Sequence, residues 1–185
     1  MSIRLVILDR DGVINHDSND FIKSPDEWVP IPGSLAAIGR LSGAGFEVAV
    51  ATNQSGIGRK LLDVLSLDAI HKKMMAGARN AGGDIGKIVY CPHLPDSGCD
   101  CRKPLPGLLK KLARNYGVRL DNVPVIGDSV RDIDAALAVG AQPILVRTGN
   151  GVRTGKILSD RGIDVDTFDD LGAATDALVS KLGNP

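Results

Sequence analysis

Five short apolar runs recur along the chain, separated by stretches long enough to hold a helix: Leu5–Leu8, Val48–Ala51, Ile88–Tyr90, Val125–Ile126 and Ile144–Val146. They are rich in branched aliphatic residues and lack the polar alternation of a strand with one wet face, so each predicts a strand buried on both sides. Between them the apolar spacing becomes helical. Pro32-Gly33-Ser34 predicts a helix start that Gly45 closes, and Ser66 predicts the cap of a second helix with Leu67, Ile70, Met74 and Ala78 on one face. Pro106 opens a third helix with Leu108, Leu109 and Leu112 inward, a fourth covers Val130–Val139 and stops at Gly140, and a last runs over Leu171–Leu182. Strands alternating with helices in this rhythm predict an α/β fold of three layers, Rossmann-like, with a parallel sheet covered on both faces.

The 185 residues, 43% of them hydrophobic, suffice for one sizeable core, so a single domain over residues 1–185 is expected. Lys plus Arg equals Asp plus Glu at 22 each, which leaves no global field to draw the chain to nucleic acid or an anionic membrane. Aromatics at 3% leave few rings for unpaired bases. No apolar stretch reaches membrane-spanning length, and the run after Met1 is too short for the core of a signal peptide. The three cysteines all fall within Cys91–Cys101, whereas a disulfide framework is even in number and dispersed. A cytoplasmic monomer with a metal clip fits this pattern.

In open parallel sheets ligands bind beyond the carboxyl ends of the strands. The polar residues of interest stand there: Asp9 and Asp11 after the first strand, Thr52-Asn53-Gln54 after the second, the cysteine loop after the third, and Gly127-Asp128 after the fourth. Asp9-Arg10-Asp11-Gly12 offers two carboxylates at a strand exit, able to divide nucleophilic attack from proton transfer, although Asp and Gly also make ordinary solvated turns. Asp128 adds a third carboxylate. Three side by side repel one another unless a divalent ion joins them, and magnesium would accept Asp9, Asp128 and a backbone carbonyl at Asp11. Asp132 is expected to orient loops, and Asp134 to be solvated. Thr52, Asn53, Gln54, Ser55 and Gly56 supply donors for phosphate oxygens, or else a helix cap and a turn. Lys103 offers a point charge and Arg102 a planar fork. Cys91, His93, Cys99 and Cys101 can close a tetrahedral zinc shell, and four protein ligands make it structural. His16 and His71 have no partner that the sequence names.

Asp9-x-Asp11, Thr52, Lys103 and Gly127-Asp128 with Asp132 resemble, in order and spacing, the four motifs of the haloacid dehalogenase (HAD) superfamily, over about two-thirds of the chain. The resemblance implies Asp9 as nucleophile, Asp11 as general acid/base, Thr52 and Lys103 as phosphoryl-stabilising residues, and Asp128 as a magnesium ligand. The segment Cys91-Pro92-His93 to Cys99-Asp100-Cys101-Arg102-Lys103-Pro104 is similar to a subgroup holding heptose bisphosphate 7-phosphatases and histidinol-phosphate phosphatases. Asp9–Asn15, Thr52–Ile57 and the stretch Phe21–Trp28 look closer to the heptose enzymes. The short spacer Leu94–Gly98 also resembles the histidinol enzymes, and Ser129 stands where some heptose relatives carry lysine.

The resemblance therefore implies a Mg2+-dependent phosphatase with a structural Zn2+, acting on the 7-phosphate of a heptose 1,7-bisphosphate in the supply of lipopolysaccharide precursors, with histidinol phosphate as the alternative substrate. A nucleic-acid 3′-phosphatase and a non-catalytic zinc-stabilised module rank lower, the first on charge and aromatics, the second on the number of strand ends that carry the motif residues. Substrate contacts are expected from Arg10, Asn53, Gln54, Ser55 and Arg102, with Asp17 and Asp20 binding sugar hydroxyls or an amine. The second anion of a bisphosphate calls for cations beyond Lys103, from Arg59, Lys60, Arg102, Arg131, Arg147 or Arg153. No cap domain fits between the motifs, so the loops Asn15–Trp28 and Cys91–Cys101 are expected to wall the pocket, with zinc shaping the second.

Overall fold

The computed structural model describes residues 3–183. Its centre is a six-stranded, wholly parallel sheet of β1 (Arg4–Leu8), β2 (Phe46–Asn53), β3 (Lys87–Cys91), β4 (Pro124–Gly127), β5 (Gln142–Val146) and β6 (Asp166–Phe168), in spatial order β3-β2-β1-β4-β5-β6. The connections are α1 (Ser34–Gly43), α2 (Val64–Asn80), α3 (Gly107–Tyr116), α4 (Val130–Leu137) and α5 (Gly151–Asp160), and α6 (Leu171–Gly183) follows the last strand. The expected three-layer sheet is present, with one strand and one helix more than the apolar pattern predicts.

Strand alternation sorts the core into two halves. Val6 and Leu8 of β1, with Val48 and Val50 of β2, pack under α1, α2 and α6, where Ile38, Leu41, Ile70, Met74 and Leu178 meet them. Leu5 and Ile7 turn the other way with Ala49 and Ala51, against Leu108, Leu109 and Leu112 of α3 and Ala135 and Ala136 of α4. Both faces of β1 are thus dry, which is why its run reads as continuous rather than alternating. β6, with the sequence Asp-Thr-Phe at the sheet edge, is mostly exposed, and α5 buries only Gly151, Thr154 and Leu158. Neither carries enough apolar signal to be read from composition.

Asp63, rather than Ser66, caps α2: its carboxylate accepts from the Ser66 N–H at 2.7 Å, so the helix starts three residues earlier than expected. Among the described residues no helix is long and apolar enough to cross a membrane. Strand order reverses between β1 and β4, and this is the point where loops from both halves diverge and leave a crevice.

Candidate active site

At that crevice the strand-end residues enclose a cavity of about 360 Å3, lined by Asp9, Asp11, Asp17, Thr52, Asn53, Gln54, Ser55, Arg102, Lys103, Asp128 and others. The centre is Lys103. Its side chain is 4% exposed, and Nζ lies 2.9 Å from Asp9 Oδ1 and 2.6 Å from Asp132 Oδ1, while also donating to the Ala51 carbonyl at 2.7 Å. Two carboxylates hold its pKa well above the usual lysine range in spite of burial. Its backbone is held as firmly: the Asn53 amide donates to the Lys103 carbonyl at 3.0 Å and accepts from the Lys103 N–H at 3.1 Å. Asn53 therefore lines the cavity with an amide already engaged, and the expected substrate contact gives way to a role in placing Lys103.

Asp9 Oδ1 accepts from Lys103 and from the Arg10 N–H at 2.7 Å, leaving Oδ2 with no protein donor among the described residues. Burial first, then the negative charge of Asp132, Asp128 and Asp11, push the Asp9 carboxyl up to about 8 against the pull of Lys103. Asp128 is pushed up to about 6, by burial and then by Asp132, although the Asn150 backbone N–H at 2.7 Å and side-chain amide at 3.1 Å both donate to its Oδ2.

Carboxylate oxygens of Asp9, Asp128 and Asp132 lie within 4.8 Å of one another. Asp132 has both oxygens engaged, Oδ1 by Lys103 and Oδ2 by the Ser129 N–H (3.0 Å) and hydroxyl (2.6 Å) at the start of α4. Asp9 and Asp128 each retain one oxygen, and two carboxylates with raised pKa values facing each other are the donor set a hard divalent ion satisfies. The carboxylate of Asp11 stands outside this cluster, which leaves its backbone carbonyl as the group that residue was expected to offer magnesium.

Asp11 instead accepts from Arg10 Nε (3.0 Å) and Asn15 Nδ2 (2.8 Å) on Oδ1, and from Arg10 Nη2 (3.0 Å) and Gln54 Nε2 (2.7 Å) on Oδ2. Gln54 also donates to Thr52 Oγ1 at 3.0 Å, joining the ends of β1 and β2. Arg10 is the clearest departure from the sequence reading. It is 1% exposed and absent from the cavity wall, with its guanidinium between Asp11 and His71 of α2, where Nη1 is 3.4 Å from His71 Nε2. It turns inward because a cation next to Asp11 finds its counterion there. His71 thus acquires a partner: burial and then the Arg10 charge push it down to about 4, so it faces the guanidinium as a neutral ring.

Asp17 reaches the cavity and accepts from Asn150 Nδ2 at 3.3 Å, whereas the exposed Asp20 is not on its wall. Of the six cations expected near the second anion, Arg59, Arg102 and Arg131 line the cavity, and Arg147 pairs with Asp169 at 2.6 Å. Asp134, expected to be solvated, pairs with Arg161 at 2.9 Å. His16 lines a neighbouring cavity with Asn19 and Thr148. Thr148-Gly149-Asn150 went unread in the sequence, although the strand-end rule applies to it after β5. Gly12 (φ 84°) and Gly149 (φ 57°) both press on Asp128, and a β-carbon on either would overlap its carboxylate.

Beside the cavity Cys91, His93, Cys99 and Cys101 converge, with Cys91 Sγ 3.7 Å from Cys99 Sγ and 3.5 Å from His93 Nδ1, and Nδ1 3.2 Å from Cys101 Sγ. Bonds of zinc length in a tetrahedron set ligand atoms about 3.5–3.8 Å apart, a range that two of these separations meet and the third undercuts, so the four atoms can close a zinc shell with a small adjustment. Arg102 follows directly, its Nη1 donating to the His93 carbonyl at 3.3 Å.

A parallel sheet in this strand order with an Asp-x-Asp strand end, a buried lysine and a second acidic strand end defines a HAD-like hydrolase, and the HAD-hydrolase-like family profile matches residues 100–174. A protein of Pseudomonas aeruginosa named D-glycero-beta-D-manno-heptose-1,7-bisphosphate 7-phosphatase is 55% identical over 97% of this chain and 99% of its own length, and the Bordetella bronchiseptica protein of that name is 50% identical over 97% and 99%. The crystal structure of D,D-heptose 1,7-bisphosphate phosphatase from B. bronchiseptica, complexed with magnesium and phosphate, is similar with a TM-score of 0.92 at 49% identity, covering 97% of this chain and 99% of that one. The chain belongs to the D-glycero-beta-D-manno-heptose-1,7-bisphosphate 7-phosphatase family.

Proposed function

We propose that this chain hydrolyses the 7-phosphate of D-glycero-β-D-manno-heptose 1,7-bisphosphate with Asp9 as nucleophile, acting as a single domain over residues 1–185 and as a cytoplasmic monomer in the supply of lipopolysaccharide precursors. The observation that carries the reading is the end-to-end likeness to relatives of that name, in a chain whose Asp9, Lys103 and Asp128 meet in one cavity. In the first step an Asp9 oxygen bonds to phosphorus and the bond from phosphorus to the sugar oxygen breaks, with Asp11 delivering a proton to the departing alkoxide. In the second, Asp11 takes a proton from water as the water oxygen attacks the aspartyl-phosphate, releasing phosphate and restoring Asp9. Magnesium held by Asp9, Asp128 and a backbone carbonyl at Asp11 supplies charge neutralisation on the phosphoryl oxygens.

Lys103 brings its positive charge to those oxygens and Thr52 a hydroxyl, and Ser55 and Gln54 extend the same wall. Arg59, Arg102 and Arg131 give the 1-phosphate its cations, and Asp17 meets a sugar hydroxyl. Zinc on Cys91, His93, Cys99 and Cys101 keeps Arg102 in reach. The balanced surface charge favours a small phosphorylated sugar over nucleic acid. The test is phosphate release from heptose bisphosphate and from histidinol phosphate by the purified protein with magnesium. Preference for histidinol phosphate would move the assignment, and turnover near wild type in Asp9→Asn would remove the nucleophile.

A further inference from the structure

We infer that Arg10, backed by His71, is a positioning residue that holds the Asp11 carboxylate in the orientation needed for proton transfer. The inference rests on the reading of Asp11 as general acid/base. Of the three residues that donate to Asp11, Arg10 alone contacts both oxygens, at 3.0 Å each, and it alone carries charge. Two parallel N–H bonds fix the plane of a carboxylate, which one donor cannot do. Asn15 and Gln54 then each add one bond, to Oδ1 and Oδ2 respectively.

The clamp is itself supported from behind. Arg10 is 1% exposed and has its remaining terminal nitrogen, Nη1, 3.4 Å from Nε2 of the buried His71. The His71 ring in turn packs on Tyr90, with centroids 6.1 Å apart and a 56° tilt. Asp11 therefore takes its orientation from a relay that runs through α2 to β3, on the side of the β1 loop away from the cavity. Outer partners of this type typically alter activity roughly 10–100-fold when removed.

Aryl phosphates test this without reference to the sugar. p-Nitrophenolate leaves unaided, whereas the more basic phenolate of phenyl phosphate needs a proton. Arg10→Lys keeps the buried charge but has no fork to span both oxygens. It should lower kcat/KM for phenyl phosphate roughly 10–100-fold while lowering that for p-nitrophenyl phosphate far less, as Asp11→Asn should. Because water activation is slowed as well, p-nitrophenolate should appear in a burst of about one equivalent per chain. His71→Leu should shift the two esters in the same direction, and His71→Gln, which keeps an acceptor, should return toward wild type; this pair decides the matter if Arg10→Lys fails to fold. Equal losses for both esters, or none, would overturn the inference. Failure of the wild type on heptose bisphosphate alone would strike the proposed substrate and leave this result standing.

Discussion

The ammonium of Lys103 stands 2.9 Å from Asp9 Oδ1 in a pocket that leaves the lysine side chain 4% exposed. A cation stripped of water at that depth is held by its carboxylates, and it occupies the charge that a metal ion would otherwise see. Lys103→Met should therefore separate two properties. Turnover should fall by roughly 100-fold or more, the usual loss when a fixed group that stabilises developing negative charge is removed. Magnesium should bind more tightly, since Asp9 and Asp132 lose the ammonium that lies 2.9 and 2.6 Å from them. Calorimetric titration of the variant with magnesium is the check, and weaker binding would contradict the electrostatic account.

Protons and magnesium compete for the same pair of carboxylates. Asp9 is pushed up to about 8 and Asp128 to about 6, in each case chiefly by burial and then by Asp132. Upward shifts mean that the folded, metal-free chain holds these protons more tightly than the unfolded one, so these groups cost stability increasingly as pH rises from about 4 toward 8. Magnesium binds the deprotonated pair and removes that cost. The rise in Tm on adding magnesium should be larger at pH 8 than at pH 5. Equal rises at both would mean that the carboxylates are already ionised at the lower pH.

How far the site was legible follows from what a sequence encodes. Asp9, Thr52 and Asp128 could be placed because a strand end is a position, and the buried apolar runs mark those positions directly. Side-chain direction is another matter. Nothing local says that Arg10 turns in toward His71, or that Asn53 spends its amide on the backbone of Lys103, 50 residues away. β6 and α5 escaped because an exposed edge strand and a helix with Gly151, Thr154 and Gly155 bury too little apolar surface to leave a period. Asn150, which joins Asp128 to Asp17, stands between the legible β5 and the illegible α5, where the strand-end rule alone could have marked it.

Zinc removal should affect substrate binding more than chemistry. Lys103 is tied to β2 by Asn53 at 3.0 and 3.1 Å, independently of the cysteine loop, whereas Arg102 is anchored through the His93 carbonyl. Protein freed of zinc by Cys99→Ser should show a raised KM for the bisphosphate with kcat less changed, and elemental analysis of the unaltered protein should give about one zinc per chain. If kcat collapses while KM holds, the loop supports Lys103 after all.

Asp128 is held from three directions, and these can be ranked. Gly12 and Gly149 both pack on its carboxylate with positive φ, so an added methyl at either must push the carboxylate away as well as strain the backbone. Gly149→Ala and Gly12→Ala should each weaken magnesium binding by roughly 10–100-fold. Asn150→Ala removes only the 3.1 Å amide bond and the link to Asp17, and leaves the 2.7 Å backbone N–H donating to Oδ2. Its loss of magnesium affinity should be smaller than that of either glycine variant, with a rise in KM from the freed Asp17. Titration of the three variants with magnesium tests the order: were Asn150→Ala the most damaged, the side-chain amide rather than the close-packed backbone would be what sets the carboxylate in place.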